Sequence, residues 1–355
     1  MPWWNNLTSQ AKHHSRTSHW AAAAARRLKQ VWQGEAAALR TDLQPSASPP
    51  LLTPSVLAPA AFERQVFEFE GEHYSYNLYL PPQALASDGA APLLPLLVML
   101  HGCQQDAPDF ALGTGMNELA AKAPCLVLYP EQLREGNRMR CWNWFDIAHQ
   151  GPHAGEPAML AALTGQVISR YPVDASRVYI AGLSAGGAMA AIVAAHYPRV
   201  FAAVGVHSGL PPGAAHDVMS AFKAMRQGGH PSAPGQPAAQ EDAMPTIVFH
   251  GSADDTVHPD NSERIVQAAT AALKASGLSL QSSEITQALP AATGELRQTL
   301  RTIYKTLDGR SFVEHWSVQA GPHAWSGGNP AGSFTDPHGP SASAAMLAFF
   351  LQHRR

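Results

Sequence analysis

An α/β fold, with a mostly parallel central sheet and helices on both of its faces, is predicted by three observations. Strand-like apolar runs alternate with helical segments from residue 94 onward. One of those runs, Leu94 to Leu100, is apolar throughout, as a strand covered on both faces must be. A glycine-rich turn, Gly182 to Gly187, stands between a strand and a helix.

The elements follow in order. Phe62 to Glu70 and Glu72 to Leu80 are aromatic and β-branched runs separated by Gly71, and they read as an opening hairpin. Leu94 to Leu100 and Cys125 to Tyr129 are buried parallel strands, with helical character between them from Ala111 to Ala123. A helix from Glu156 to Tyr171, a strand from Arg177 to Ala181, a helix from Ala185 to Tyr197 and strands at Phe201 to His207 and Thr246 to His250 continue the alternation. The chain closes with a helix from Asn261 to Ala275, strands at Leu300 to Leu307 and Phe312 to Val318, and a helix from Ser343 to His353. Gly228 to Met244 and Ser276 to Glu295 are expected to be loops or insertions.

Residues 1–61 differ from the rest. Alanine-rich Ser18 to Arg40 favours a helix, and Pro45, Pro49, Pro50 and Pro54 form a linker. This short N-terminal helical appendage precedes a single α/β domain over 62–355. Its basic residues Lys12, Arg16, Arg26, Arg27 and Lys29 offer a face for contact with an anionic or apolar surface, and a solvated helix is the simpler alternative.

Composition narrows the function. Hydrophobic residues make up 45% and charged residues 14% of 355, which excludes disordered and fibrous classes. A net charge of -3 gives no general basis for binding nucleic acid. No apolar stretch approaches the roughly 18 residues of a transmembrane segment. No secretory signature is evident, so a cytoplasmic location is the default expectation. The scattered histidines lack H-E-x-x-H or paired Cys/His spacing, and no metal is assigned. Gly113-Thr114-Gly115 lacks the third glycine of a dinucleotide site and reads as a turn, so no cofactor is implied.

Gly182-Leu183-Ser184-Ala185-Gly186 has the G-x-S-x-G form of a nucleophile elbow, whose small neighbours let a serine stand exposed above a sheet. A serine hydroxyl needs a base, and the base an orienting acid. The acid is sought on a loop after a later strand, where His250-Gly251-Ser252-Ala253-Asp254-Asp255 lies. Asp254 fits the H-G-x-x-D-x-x-V spacing and is favoured, with Asp255 as a solvated or capping neighbour. His323, in Gly321-Pro322-His323-Ala324-Trp325 before the last helix, is the candidate base; His315 and His338 are its nearest rivals among 17 histidines. The backbone N–H groups of Cys103 and Ala185 are assigned to the oxyanion. His101 is expected to hold its loop by hydrogen bonds rather than act as a base. Trp142, Trp144 and Trp325 lie beside these motifs, and two readings stand for them: walls of an acyl or polyester groove, or core packing.

Together, L-H-G-C-x-Q (Leu100 to Gln105), C-W-N-W-F (Cys141 to Phe145), R-V-Y-I-A-G-L-S-A-G-G (Arg177 to Gly187), H-G-S-A-D (His250 to Asp254) and G-x-x-A-W-S-G-G (Gly321 to Gly328) resemble the polyhydroxybutyrate depolymerase-type esterases. These are α/β-hydrolases related to feruloyl and acetylxylan esterases, and the resemblance covers roughly residues 63–353. It implies Ser184 as nucleophile, Asp254 as acid, His323 as base and Cys103 with Ala185 as oxyanion hole, acting without a cofactor on an ester or polyester substrate. It also admits a Cys103 to Cys141 bridge, while two free buried thiols fit a reducing cytoplasm equally well. Relatives are often secreted, which keeps an extracellular site open. Feruloyl, acetylxylan or general short-chain esterase activity is the first alternative, and a non-catalytic granule-binding protein the second.

Overall fold

The computed structural model describes residues 60–85, 92–229, 243–287, 290–291 and 294–355. The expected N-terminal helix and nearly all of its linker lie outside the described residues, as does most of Gly228 to Met244.

β1 (Ala61–Phe69) and β2 (Glu72–Leu80) form the expected antiparallel hairpin. Its two turn residues, Glu70 and Gly71, both have positive φ (54° and 86°), the twist that suits a tight hairpin. The sheet continues through β3 (Leu94–Leu100), β4 (Leu126–Pro130), β5 (Val173–Leu183), β6 (Ala203–His207), β7 (Thr246–Gly251), β8 (Leu280–Gln287), β9 (Thr299–Thr306) and β10 (Ser311–Val318). The order across the sheet is β1-β2-β4-β3-β5-β6-β7-β10-β9-β8. Pairing is parallel from β4 to β10 and antiparallel at both ends, so this is an α/β-hydrolase-like mixed sheet.

Why β3 is apolar at every position is seen in its packing. Leu96, Val98 and Leu100 face one core, shared with α3 (Gly155–Arg170), α4 (Ala185–His196) and α6 (Asp260–Ala275). Leu97 and Met99 face the other, shared with α1 (Ala107–Thr114), α2 (Met116–Lys122) and α7 (Ala342–Phe350). Helix α4 is buried from Ala185 through Ala194, which explains a sequence with no polar face.

Two expectations are corrected. The single helix read across Ala111 to Ala123 is two, α1 and α2, broken at Gly115 with φ 60°; α1 starts four residues earlier because Asp106 caps the Asp109 N–H. Within the stretch read as a loop, Ser276 to Glu295, strand β8 forms. It pairs along one edge only and is largely exposed, so it carries no apolar alternation to betray it. Helix α5 (Val218–Gln227), capped by Asp217 and Ser220, was not foreseen.

Loss of solvent around the ring favours the neutral form of four histidines in this fold. Burial pushes the imidazoles of His101, His315 and His353 down to about 4 and that of His207 to about 3. An unfolded histidine takes up its proton at about pH 6.5. Between those values the unfolded chain binds more protons than the folded one, so this stability is whole above about pH 6.5 and is lost as pH falls toward about 4. Each ring contributes about 1.4 kcal/mol per pH unit inside that window. Urea midpoints measured at stepwise lower pH are expected to fall most steeply in it; a flat profile would contradict burial of the neutral rings.

Candidate active site

The turn between β5 and α4 is tight enough to require its glycines. A Cβ on Gly186 would stand 2.2 Å from Leu100 O, and one on Gly182 would stand 2.4 Å from Gly186 C. Ser184 is held at φ 56° and ψ -118°, a strained backbone for a residue with a side chain. Its N–H donates to His207 O at 2.8 Å, and its carbonyl accepts from Ala188 N–H at 2.9 Å. Although Ser184 occupies the cap position of α4, its hydroxyl makes no capping bond. Instead, Ser184 Oγ lies 3.0 Å from His323 Nε2.

His323 Nδ1 lies 2.7 Å from Asp254 Oδ2. An ionised carboxylate only accepts, so Nδ1 carries the hydrogen and Nε2 is left to accept from the serine. The loops bearing the acid and the base are zipped together. Ser252 N–H donates to Val318 O, Ala253 N–H to Gly321 O and Ala320 N–H to Ser252 Oγ. A Cβ on Gly251 would meet Gly321 O at 2.2 Å, so glycine is needed where the two loops touch.

Asp254 is buried and Asp255 is exposed. Asp254 Oδ1 accepts from the Thr256 and Val257 N–H groups at 3.0 and 2.8 Å. Burial by itself would raise this carboxyl, but hydrogen bonds from His250, His323 and Val257 and the charge of His323 hold it well below the usual carboxylate range. Of the rival histidines, His315 pairs with Ser262 Oγ and His338 sits in the turn at Asp336.

The two positions assigned to the oxyanion from the sequence are Ala185 and Cys103. Ala185 N–H is in the first turn of α4, where no intrahelical acceptor exists. Cys103 sits on the loop after β3, and that loop is tied down on every side. Gly102 N–H donates to Gln105 Oε1, and Gln105 Nε2 donates to Asp109 and to Ser333 O. Gln104 N–H donates to Met139 O, Arg140 pairs with Asp106, and Cys103 is disulfide-bonded to Cys141. Of the two states left open for those cysteines, the structure shows the bridge. Cys125 is the free thiol, and burial pushes it up to about 12. His101 holds its loop as expected: Nε2 accepts from Gln132 N–H and Nδ1 donates to Gly102 O.

A hydroxyl, an imidazole and a carboxylate in a line can carry nucleophilic acyl transfer. A family model described as Esterase PHB depolymerase matches residues 74–281. The chain belongs to this family. Poly(3-hydroxyalkanoate) depolymerase C of Paucimonas lemoignei is 34% identical over 185 residues, covering 49% of this chain and 44% of that protein. Acetylxylan esterase A of Emericella nidulans is 31% identical over 214 residues, covering 56% of this chain and 67% of that one. The acetyl xylan esterase structure from Aspergillus awamori superposes with a TM-score of 0.58 at 18% identity, covering 82% of this chain and 99% of the other, which is a likeness of fold. This member of the PHB depolymerase family therefore spans less than half the length of the first of these relatives.

The tryptophans of the PHB depolymerase-family chain are core residues rather than groove walls. Trp142 and Trp325 are 0% and 1% exposed. Their indole N–H groups are used internally, Trp142 on His101 O and Trp325 on Ser343 Oγ. Trp144 is also buried and packs edge-on against Phe145. Trp142 and Trp325 act on the site from behind, the first under the Cys103 loop and the second stacked on His207.

Several supports went unread in the sequence. His207 Nε2 accepts from Ser326 N–H at 2.9 Å while its carbonyl holds Ser184 N–H, so one residue braces the loops of nucleophile and base. Buried Glu156 accepts from Gln132 and from Asn143 N–H and Nδ2, fixing the Cys141 to Phe145 segment. Only the apolar strand ahead of His207 and the helix start at Glu156 mark these positions in sequence. Among the described residues no cluster of three or more His, Cys, Asp or Glu is arranged to hold a metal, and no helix is long and apolar enough to cross a membrane.

Proposed function

We propose that this chain is a serine carboxylesterase that hydrolyses short 3-hydroxyacyl esters, including polyhydroxybutyrate oligomers. The observation that carries the reading is the unbroken line Asp254, His323, Ser184 at 2.7 and 3.0 Å beneath a strained turn. His323 Nε2 takes the Ser184 proton as Oγ attacks the ester carbonyl, and the Cys103 and Ala185 N–H groups receive the developing oxyanion. The proton then passes to the departing alcohol, leaving an acyl ester on Ser184. Water, deprotonated by the same imidazole, releases the carboxylic acid and restores the hydroxyl. Asp254 keeps Nδ1–H pointed toward itself and stabilises the imidazolium without taking its proton.

The hydroxyacyl substrate rests on similarity to the depolymerase. A second reading, an acetylxylan-type esterase, is favoured by the wider coverage of that relative. The test is initial rates of the wild type on para-nitrophenyl acetate, butyrate and octanoate, then on hydroxybutyrate oligomers, acetylated xylan and methyl ferulate, with a fluorophosphonate probe located by mass spectrometry. The expected result is a label on the Ser184 peptide and the highest kcat/KM on the oligomers. A higher value on acetylated xylan moves the assignment to the second reading; a folded protein that neither turns over ester nor takes label overturns both.

A further inference from the structure

Around Asp254 the reaction leaves one buried histidine unused. His250, the penultimate residue of β7 before the acid loop, is 2% exposed. Its Nε2 lies 2.8 Å from Val257 O and 3.3 Å from Asp254 Oδ2. A main-chain carbonyl and a carboxylate oxygen can only accept, so Nε2 carries hydrogen and is shared between the two. Nδ1 is then bare, and it is buried with no partner among the described residues. An unpaired buried acceptor is costly, and a phenyl ring would fill the same space without one. What imidazole supplies there and phenyl does not is the Nε2–H.

We propose that His250 is a positioning residue for ester hydrolysis, its Nε2–H pinning Oδ2 of Asp254 in line with His323 Nδ1–H and sharing the charge on that oxygen. The inference rests on the triad reading above. Oδ1 is held by the Thr256 and Val257 amides, so His250 supplies the lateral constraint on the oxygen that His323 uses. Two effects follow from removing it. The carboxylate gains freedom to rotate away from the imidazole, which lowers kcat and leaves KM alone. The charge on Oδ2 is then answered by His323 alone, which favours the imidazolium, so the acid limb of the pH profile moves to higher pH.

Other titratable groups facing this cluster do not supply that limb. His207 reaches it from β6 and His315 from β10, and burial pushes them down to about 3 and about 4, so both are neutral where an esterase is assayed. Asp255, the next residue, is exposed. A limb that moves in a His250 variant is therefore traced to the contact between His323 Nδ1 and Asp254 Oδ2.

The experiment compares wild type, His250→Phe, which keeps a ring and loses the donor, and His250→Gln, whose side-chain amide can place an N–H near the position of Nε2. Rates on para-nitrophenyl butyrate are measured across pH, with near-ultraviolet circular dichroism to establish folding and Asp254→Asn in the same series. The expected result for His250→Phe is a kcat lower by about tenfold, the scale of one hydrogen bond to a charged group, with KM within about twofold and the acid limb moved up. His250→Gln restores the limb and most of kcat. An unmoved limb in folded His250→Phe, or one that Gln fails to restore, overturns the proposal. Full activity in Asp254→Asn would instead overturn the triad reading on which it stands. Should neither variant fold, the ring is read directly in 15N-histidine-labelled wild type: hydrogen on Nε2 and bare Nδ1 is required, and hydrogen on Nδ1 overturns the proposal.

Discussion

Ser184→Ala is expected to lower kcat on short para-nitrophenyl esters by about 10^4-fold or more and to abolish phosphonate labelling. The size of the effect follows from what the hydroxyl does and does not touch. Ser184 Oγ makes no helix-capping bond, and its protein partner is His323 Nε2. Alanine occupies the same strained backbone, and the Ser184 N–H bond to His207 O and the carbonyl bond from Ala188 are made by the main chain and survive. Loss of activity with an unchanged thermal midpoint is therefore the expected pair of results. Because nucleophile and base work as a unit, adding His323→Ala to Ser184→Ala should cost little further. A variant that keeps more than about one part in a hundred of its rate, with label on another residue, would place the nucleophile elsewhere.

How much of this was legible in the sequence depends on how local each constraint is. Gly182 and Gly186 are fixed by contacts within the turn and with the end of β3, so the nucleophile turn stands out in five residues. Asp254 and His323 were reachable through chain order and spacing, since each follows a strand that the apolar pattern marks. His207 was not, because its brace on Ser326 joins residues 119 apart, and Gln105 likewise bonds Ser333 from 228 residues away. A strand pattern announces that His207 ends a strand and is silent about which loop arrives beside it. The tryptophans failed for a related reason: motif proximity places Trp142 and Trp325 near the site, but only packing decides whether an indole faces a cleft or stands behind it. Strand β8 escaped because an exposed edge need not alternate polar and apolar residues.

Asp254→Asn and Asp255→Asn separate the two adjacent carboxylates by their surroundings. Asp254→Asn is expected to lower kcat by about 10^4-fold, with a folded protein and little change in KM. Asp254 Oδ2 accepts His323 Nδ1–H, and that acceptance is what leaves Nε2 free to take the serine proton. An amide in its place can turn its NH2 toward Nδ1. The imidazole then carries its hydrogen on Nε2, facing Ser184, and cannot act as the base. The amide also lacks the charge that stabilises the imidazolium once formed. Asp255→Asn meets none of these conditions. Its side chain is exposed, and it accepts a 3.4 Å hydrogen bond from the Thr256 hydroxyl, which an amide oxygen can also accept. Activity within about twofold of wild type is expected for it, since a solvated surface carboxylate contributes little to a buried reaction centre. Steady-state rates on one ester suffice to decide. The reverse pattern, with Asp255→Asn inactive and Asp254→Asn active, would require the loop from Gly251 to Val257 to be turned by one residue, with Asp255 in place of Asp254 beneath His323.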